Sequence, residues 1–122
     1  MIELTQEFGF DAAHWVGQGA PENARLHGHS FYVEVTLRGE ADKEMGWLRD
    51  LGEVRVALDR VRGHLDHRLL NEVEGLRTPT LENLAQFIFE EAKKALPETA
   101  RVRVRRPSYG QSCVYEPAQG RS

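Results

Sequence analysis

Strict alternation of apolar and polar side chains over residues 27–38 constrains this chain more than any other feature. The odd positions of this stretch form one stripe, which consists of His27, His29, Phe31, Val33, Val35 and Leu37. A period of two is that of a β-strand, so both histidines lie on the apolar face of one strand. Two imidazoles at positions i and i+2 point the same way, and such a pair needs a third ligand to hold a metal ion.

A second stripe supplies a third histidine. Its members share the even parity and are Ile2, Leu4, Phe8, Phe10, Ala12 and His14, interrupted only by Gln6. If the two strands pair antiparallel, His14 comes beside His27 and His29. Three neutral imidazoles suit zinc and leave one tetrahedral position for water or substrate, which is typical of a catalytic site. The alternative is that these are core or surface histidines with hydrogen-bonded partners.

Length and composition predict one domain, residues 1–122, with a modest core. No apolar run is long enough to cross a bilayer, and residues 1–6 lack the basic and apolar regions of a signal peptide. We therefore expect a cytoplasmic protein with no membrane partner. The single cysteine, Cys113, excludes an internal disulfide and a cysteine-ligated zinc site.

The charge pattern argues against a general nucleic-acid binder. The net charge is −3, although residues 101–106 are locally basic. Alternation there predicts that Arg103 and Arg105 form the solvated face of a strand whose other face carries Val102 and Val104. No aromatic residues interleave these arginines as stacking platforms for bases.

The order of elements predicts an α+β fold. Strands are expected at about residues 2–13, with a bulge or bend near Gly9, and at about 28–38, 102–106 and 112–115. A helix begins near Glu53 and keeps its apolar spacing as far as Leu69, weakened but not broken by Gly63. A second helix has Thr80 as its N-cap and ends before Pro97. This gives a four-stranded antiparallel sheet with both helices on one face, and its open edges favour self-association.

Five segments in this order resemble the 6-pyruvoyl-tetrahydropterin synthase and 6-carboxy-tetrahydropterin synthase family of the T-fold. They are FDAAH (residues 10–14), LHGHSF (26–31), GWLRDL (46–51), LDHRLLN (65–71) and PTLENL (79–84). Each segment is weak alone, but together they cover nearly the whole chain. The resemblance implies that subunits join their sheets into β-barrels, usually as homohexamers built from two trimers, with active sites between subunits.

The resemblance also implies roles for individual residues. His14, His27 and His29 would hold Zn²⁺, and Asp66 with His67 would form a carboxylate–imidazole pair that moves protons. The alternative for that pair is a polar helix end facing solvent. Thr80 and Glu82 would lie near a pterin-like ligand, and their alternative role is helix capping.

The chain departs from the family pattern at its acid–base cysteine. The family places that cysteine four residues before the first histidine of the His-Gly-His motif, where this chain has Asn23. An amide does not titrate in the useful range. The adjacent carboxyl of Glu22 is the candidate replacement, while Cys113 is interpreted as a small core residue.

A second departure lies at the end of the third strand. The family has a glutamate there that accepts hydrogen bonds from the pterin, and the aligned residue here is Arg106. Arginine only donates, so it would attract a carboxylate, a phosphate or a carbonyl oxygen instead. Glu116 or Glu82 are the alternative anchors.

Three hypotheses follow. The first is a zinc-dependent pterin synthase or lyase resembling 6-carboxy-tetrahydropterin synthase, acting on a dihydroneopterin triphosphate-like substrate on the queuosine precursor route, or a divergent member with a more acidic ligand. The second is a zinc-stabilised oligomeric binding protein without catalysis. The third, nucleic-acid binding through residues 101–106, predicts binding that weakens strongly with added salt.

Overall fold

Two long strands form the framework that carries the histidines. In the computed structural model, which describes residues 1–76 and 78–118, β1 spans Ile2–His14 and β2 spans His27–Gly39. They pair antiparallel without interruption from Ile2 opposite Gly39 to His14 opposite His27. Phe10, Phe31, Val33 and Val35 are buried on one face of this pair. The two apolar stripes therefore share one face, as their parity predicts.

The remaining strands complete one antiparallel sheet. β3 spans Thr99–Arg106, β4 spans Gln111–Tyr115, and the order across the sheet is β1-β2-β3-β4. A short 3-10 turn, Pro107–Tyr109, joins β3 to β4, and Gly110 follows it with a φ of 65°. Glycine adopts that left-handed backbone without strain.

Both helices cover the apolar face. α1 spans Leu51–Gly63 with Asp50 as its N-cap, and α2 spans Leu81–Ala95 with Thr80 as its N-cap. α1 packs on β1 and α2 packs on β3 and β4, and the helices touch each other. Their buried residues join the strands in one hydrophobic core, which includes Val54, Leu58, Leu84, Ile88, Val102 and Val104. The predicted element order and the α+β architecture are confirmed.

Two local predictions are wrong. The helix expected to continue to Leu69 ends at Gly63. Leu65 is buried in the turn that follows, and Leu69 lies beside Ala13 in an isolated parallel bridge. The bulge expected near Gly9 is absent from the β1–β2 pairing, and the irregularity of register lies instead between β2 and β3 at Thr36 and Leu37.

The face of the sheet away from the helices carries arginines and glutamates that lie close to one another on neighbouring strands. Arg101 lies 2.9 Å from Glu3, and Arg103 and Arg105 lie 3.4 and 3.6 Å from Glu34. Val102 and Val104 are fully buried on the other face. The predicted alternation of β3 is thus confirmed, and the three arginines on its solvated face each lie near a glutamate. Within the described part of the chain, no helix is long and apolar enough to cross a membrane.

Candidate metal centre and active-site cavity

Three histidines converge at the end of the β1–β2 pair. His14 lies opposite His27, and His29 lies opposite Ala12 on the same face. The ring centroids are 4.6 Å apart for His14 and His27, 5.0 Å for His14 and His29, and 4.7 Å for His27 and His29. One ring nitrogen of each lies within 4.8 Å of the other two. The structure thus brings together the three residues predicted as ligands.

Backbone carbonyls orient two of these imidazoles. His14 Nδ1 lies 2.8 Å from the Pro79 carbonyl, and His27 Nδ1 lies 2.7 Å from the Arg25 carbonyl. A carbonyl only accepts, so each Nδ1 carries the proton and each Nε2 presents its lone pair. Within residues 1–76 and 78–118, the buried His14 Nε2 has no hydrogen-bond partner. An unpartnered buried nitrogen aimed at two other imidazoles fits a metal ion of the zinc type.

The environment keeps two of the rings neutral. Burial lowers the pKa of His14 below its ordinary value of 6.5, against the opposing effect of the Pro79 carbonyl. Burial, and then the positive charge of Arg106, lowers the pKa of His29 to about 4. Neutral imidazole is the form that ligates metals, so protons compete weakly for this site at neutral pH.

A cavity of about 450 Å³ opens beside His14 and His27. Its other walls are the loop after β1, the first turn of α2 and the β3–β4 hairpin, which contribute Val16, Asn23, Thr80, Leu81, Glu82, Arg106, Gln111, Ser112 and Cys113. The volume suits a small molecule. Of the predicted ligand-binding residues, Thr80, Glu82 and Arg106 therefore all line one cavity beside the histidines.

Arg106 is held over the histidine cluster by the hairpin. Its Nη1 lies 3.4 Å from His29 Nε2, its Nη2 donates to Gln111 Oε1, and its guanidinium lies 5.6 Å from the ring centroid of Tyr109. Tyr109 also packs edge-on against His29 at 5.0 Å. The guanidinium is therefore fixed at the junction of the cavity and the three histidines.

Of the other predicted ligand-binding residues, Thr80 and Glu82 line the cavity and Glu116 does not. Thr80 Oγ1 accepts a hydrogen bond from the Asn83 N–H, so the predicted capping role is confirmed while the residue also faces the cavity. Glu82 lies in the cavity wall, whereas Glu116 lies 3.6 Å from Arg101 and is not part of that wall. Glu82 is therefore the predicted anchor that lines this cavity, and the anchoring role of Glu116 stays a prediction that its position outside this wall does not favour.

The loop that carries Glu22 places Asn23, and not Glu22, in the wall of the cavity. Residues Pro21–Ala24 form a 3-10 turn, and Val16 N–H donates to the Asn23 carbonyl at 2.7 Å. The Asn23 side chain lines the cavity and donates to the Gln18 carbonyl, while Glu22 is exposed outside the lining. The acid–base role of Glu22 thus remains a prediction that requires movement of this turn.

Asp66 and His67 lie on another surface of the same chain. Asp66 Oδ1 accepts from the Asp11 N–H at 3.0 Å, and Asp66 Oδ2 lies 3.1 Å from Arg62. The hydrogen bond from Asp11 holds the pKa of Asp66 below its ordinary range. His67 Nε2 lies 3.9 Å from Asp66 Oδ1, which is longer than a hydrogen bond, and its side chain is 80% exposed.

The backbone of His67 is itself unusual. It has a φ of 58°, and no other non-glycine residue in residues 1–76 and 78–118 has a positive φ. Its N–H donates to the Asp11 carbonyl at 2.7 Å, which fixes this conformation at the edge of β1. His67 borders a shallow surface with Asp11, Ser30 and Arg68 and does not line the cavity beside His14. Such strained residues occur preferentially at functional sites.

Sequence reasoning did not single out Gln111 and Tyr109, which fix Arg106 beside the cavity. Cys113 packs against the core, as it was interpreted, and also lines the cavity. Burial raises the pKa of the Cys113 thiol. The pairing of Val104 with Cys113 places both on the core face, which agrees with the interpretation of Cys113 as a core residue.

Taken together, the sheet order, the two helices on one face and the three histidines at the strand ends define a T-fold protein with a candidate metal centre. The family model described as 6-pyruvoyl tetrahydropterin synthase matches residues 3–118. The chain belongs to this family.

Individual relatives agree with this assignment. The chain is 38% identical over 97 residues to a 6-carboxy-5,6,7,8-tetrahydropterin synthase of Synechocystis, with 75% of each chain covered. It is 42% identical over 88 residues to a dihydroneopterin monophosphate aldolase of Pyrococcus furiosus, with 72% of each chain covered. The structure of 6-pyruvoyl tetrahydropterin synthase from Caenorhabditis elegans matches with a TM-score of 0.85 and 25% identity, covering 96% of each chain.

Proposed function

We propose that this protein is a zinc-dependent pterin synthase or lyase that acts on the side chain of a dihydroneopterin phosphate. The observation that carries the proposal is the convergence of His14, His27 and His29, with the Nε2 atom of His14 buried and unpartnered among the described residues. The names of the relatives support the substrate class, because both the Synechocystis and the Pyrococcus proteins are named for reduced pterins.

The histidines would hold the metal ion through nitrogens whose orientation is already set. The Pro79 and Arg25 carbonyls keep the protons on Nδ1 of His14 and His27, so little reorganisation is needed for binding. A zinc ion there would supply Lewis acidity towards a hydroxyl or carbonyl oxygen of the substrate side chain.

Asp66 and His67 would move the proton. An imidazole accepts and releases protons near neutral pH, and the charged Asp66 carboxylate, fixed by the Asp11 N–H and Arg62, lies 3.9 Å from it and would orient it once the two groups come within hydrogen-bond distance. Because His67 does not line the cavity of its own chain, we propose that it serves the cavity of a second copy, in a homohexamer of two trimers.

The first experiment is turnover. Metal-replete protein is incubated with dihydroneopterin triphosphate and, separately, with dihydroneopterin monophosphate, and the products are identified by mass spectrometry. We expect conversion of one of them, and replacing His67 with alanine should lower the rate about 100-fold or more. Conversion of the monophosphate alone would favour an activity like that of the Pyrococcus relative. Conversion of neither by protein that binds zinc would overturn the proposal and favour a binding role.

The same assay tests the other predicted groups. Glu22→Gln removes the proposed replacement for the missing cysteine, and Glu82→Gln removes the carboxylate of the cavity wall. A large loss of rate with Glu22→Gln would mean that the 21–24 turn moves towards the substrate. Unchanged rates with Glu22→Gln would remove that residue from the mechanism while leaving the metal centre intact.

Mixed oligomers test the sharing of sites. His27→Ala and His67→Ala are each expected to be inactive. If sites are shared between subunits, random assortment of the two variants restores about a quarter of the wild-type activity. In a mixture of Asp66→Asn with His67→Ala, every subunit lacks a group from the same half of the site. No assortment then gives a complete site, and the mixture should stay inactive. Failure of the first mixture to recover activity, with subunit exchange demonstrated, would place the complete site within one chain.

A further inference from the structure

Arg106 is a partly buried cation that forms no ion pair with an acidic residue in the described part of the chain. No ion pair formed among residues 1–76 and 78–118 involves its guanidinium, and its Nε is buried with no hydrogen-bond partner there. Burial lowers its pKa, yet a guanidinium keeps its charge in proteins. A desolvated charge needs a counter-charge to offset the cost of leaving water.

Arg106 differs from the other three arginines of β3 in its partners. Arg101, Arg103 and Arg105 project from the opposite face of the strand, and each lies within 4 Å of a glutamate oxygen. Arg106 instead meets an imidazole, an amide oxygen and an aromatic ring. The strand thus neutralises the arginines of its open face and leaves the charge of Arg106 directed at the cavity.

Other groups around the cavity add to the same field. The first turn of α2, with Leu81 and Glu82, forms part of the wall, so the positive end of the helix dipole faces the cavity. Glu82 is the carboxylate of that wall, and its charge favours the charged form of Arg106, but the two do not form an ion pair. Glu82 is therefore the internal competitor for any bound anion.

Arg106 also competes with a metal ion for His29. The Arg106 Nη1 donates towards His29 Nε2, and that nitrogen has a single lone pair. The lone pair can accept from the guanidinium or bind a cation, but not both. A guanidinium and a divalent cation at this distance also repel each other, unless an anion lies between them.

We propose that the cavity binds its metal ion and an oxyanion cooperatively, with Arg106 as the residue that couples them. The ligand class is a small molecule with a carboxylate or phosphate group, held between the guanidinium released from His29 and the cation held by the histidines. The inference rests on the metal centre of the proposed function, but not on a pterin being the substrate. By linkage, the anion raises the affinity for the metal as much as the metal raises the affinity for the anion.

The test measures zinc affinity by competition with a chromogenic chelator, with and without a saturating small anion. Acetate and methyl phosphate distinguish the two sources of oxyanion, and acetamide is the neutral counterpart of acetate. In wild-type protein we expect one of the anions to raise zinc affinity roughly tenfold and acetamide to have no effect. Arg106→Gln should bind zinc more tightly than wild type without anion, and the anion should then change its affinity less than about twofold.

Three further variants make the result specific. Arg106→Lys keeps the charge without the planar fork and should retain part of the coupling. Arg103→Gln removes an arginine of the opposite face and should behave as wild type. Glu82→Gln removes the competing carboxylate and should strengthen anion binding. Equal zinc affinities in wild type and Arg106→Gln, with equal responses to the anion, would overturn the proposal.

Failure of the metal centre can be told apart from failure of the coupling. If metal analysis finds that wild-type protein holds no zinc, the proposed function fails. Calorimetric titration of the metal-free protein with the same anions then measures the anion affinity that the Arg106 guanidinium provides without a metal. Loss of that binding in Arg106→Gln but not in Arg103→Gln would still support an anion site at Arg106. Zinc binding that no anion affects would refute the coupling and leave the metal centre standing.

Discussion

His14 lies directly opposite His27 in the β1–β2 pairing, with their ring centroids 4.6 Å apart. Each ring is fixed through Nδ1 by a carbonyl from a different segment, Pro79 for His14 and Arg25 for His27. The sheet register and two loops therefore specify the geometry together. Such preorganisation lowers the cost of gathering three ligands around one ion.

Replacing His27 with alanine should remove one ligand without disturbing the core, because His27 is the most accessible of the three. We expect zinc affinity to fall by about 100-fold or more, since even changes to groups that only orient ligands cost 10–100-fold. Metal analysis after dialysis against a weak chelator measures the effect. His64→Ala alters an exposed histidine at the end of α1 and should leave zinc content unchanged. Full zinc content in His27→Ala would remove His27 from the ligand set.

The positive φ of His67 predicts a separation of stability from activity. Glycine adopts that backbone freely, so His67→Gly should change the free energy of unfolding by no more than about 1 kcal/mol while turnover is lost. Zinc content should not change, because His67 does not line the cavity. Thermal unfolding, metal analysis and the turnover assay together check this. A variant that unfolds readily would show that the imidazole itself stabilises the turn.

The histidine centre could be predicted because it depends on parity alone. Alternation places His27 and His29 on one face of β2, and any antiparallel register that keeps the apolar stripes of β1 and β2 on a common face brings His14 to that face, which is also the core face. The same reasoning gave the burial of Val102 and Val104. Local patterns suffice wherever a residue's environment is set by its own strand.

Other features depended on contacts between distant segments. α1 ends at Gly63, and the chain then turns so that residues 67–69 run along β1, where the Ala13 N–H donates to the Arg68 carbonyl. That path also carries His67 away from the cavity, which no local pattern indicates. The hold on Arg106 depends on the hairpin register that places Gln111 opposite it. These positions are set by tertiary pairing rather than by propensity.

Asn71 couples this returning segment to the metal centre. Its side chain accepts from the Trp15 N–H and donates to the Trp15 carbonyl, each at 3.0 Å, immediately after His14. Asn71→Ala should lower the free energy of unfolding by about 1–3 kcal/mol, because two backbone groups lose their partner. Zinc affinity should fall as well, since the end of β1 is less well fixed. Asn71→Asp keeps the acceptor but loses the donor, so its free energy of unfolding, measured by denaturant titration, should lie between those of wild type and Asn71→Ala. Wild-type stability in Asn71→Ala would contradict the proposed coupling.

Arg49 and Glu98 form a bidentate pair that predicts a specific dependence of stability on pH. Arg49 Nε and Nη2 donate to the two Glu98 carboxylate oxygens at 3.0 and 2.7 Å, and both side chains are about three-quarters buried. Arg49 precedes the N-cap of α1 and Glu98 lies between α2 and β3, so the pair ties both helices to the sheet. The hydrogen bonds from Arg49 lower the pKa of Glu98 below its ordinary value of 4.5.

Because the pKa of Glu98 is lower in the folded than in the unfolded chain, its stabilising effect is complete above pH 4.5 and disappears as the pH falls through the lowered value. Glu98→Gln should therefore reduce the free energy of unfolding by about 1–2 kcal/mol at pH 7, and the difference from wild type should shrink progressively below pH 4.5. Urea titrations of both proteins across this range measure the difference. Glu91→Gln disrupts the more exposed pair with Lys94 and should cost no more than about 0.5 kcal/mol. A difference between Glu98→Gln and wild type that does not depend on pH would mean that shape, rather than charge, makes Glu98 stabilising.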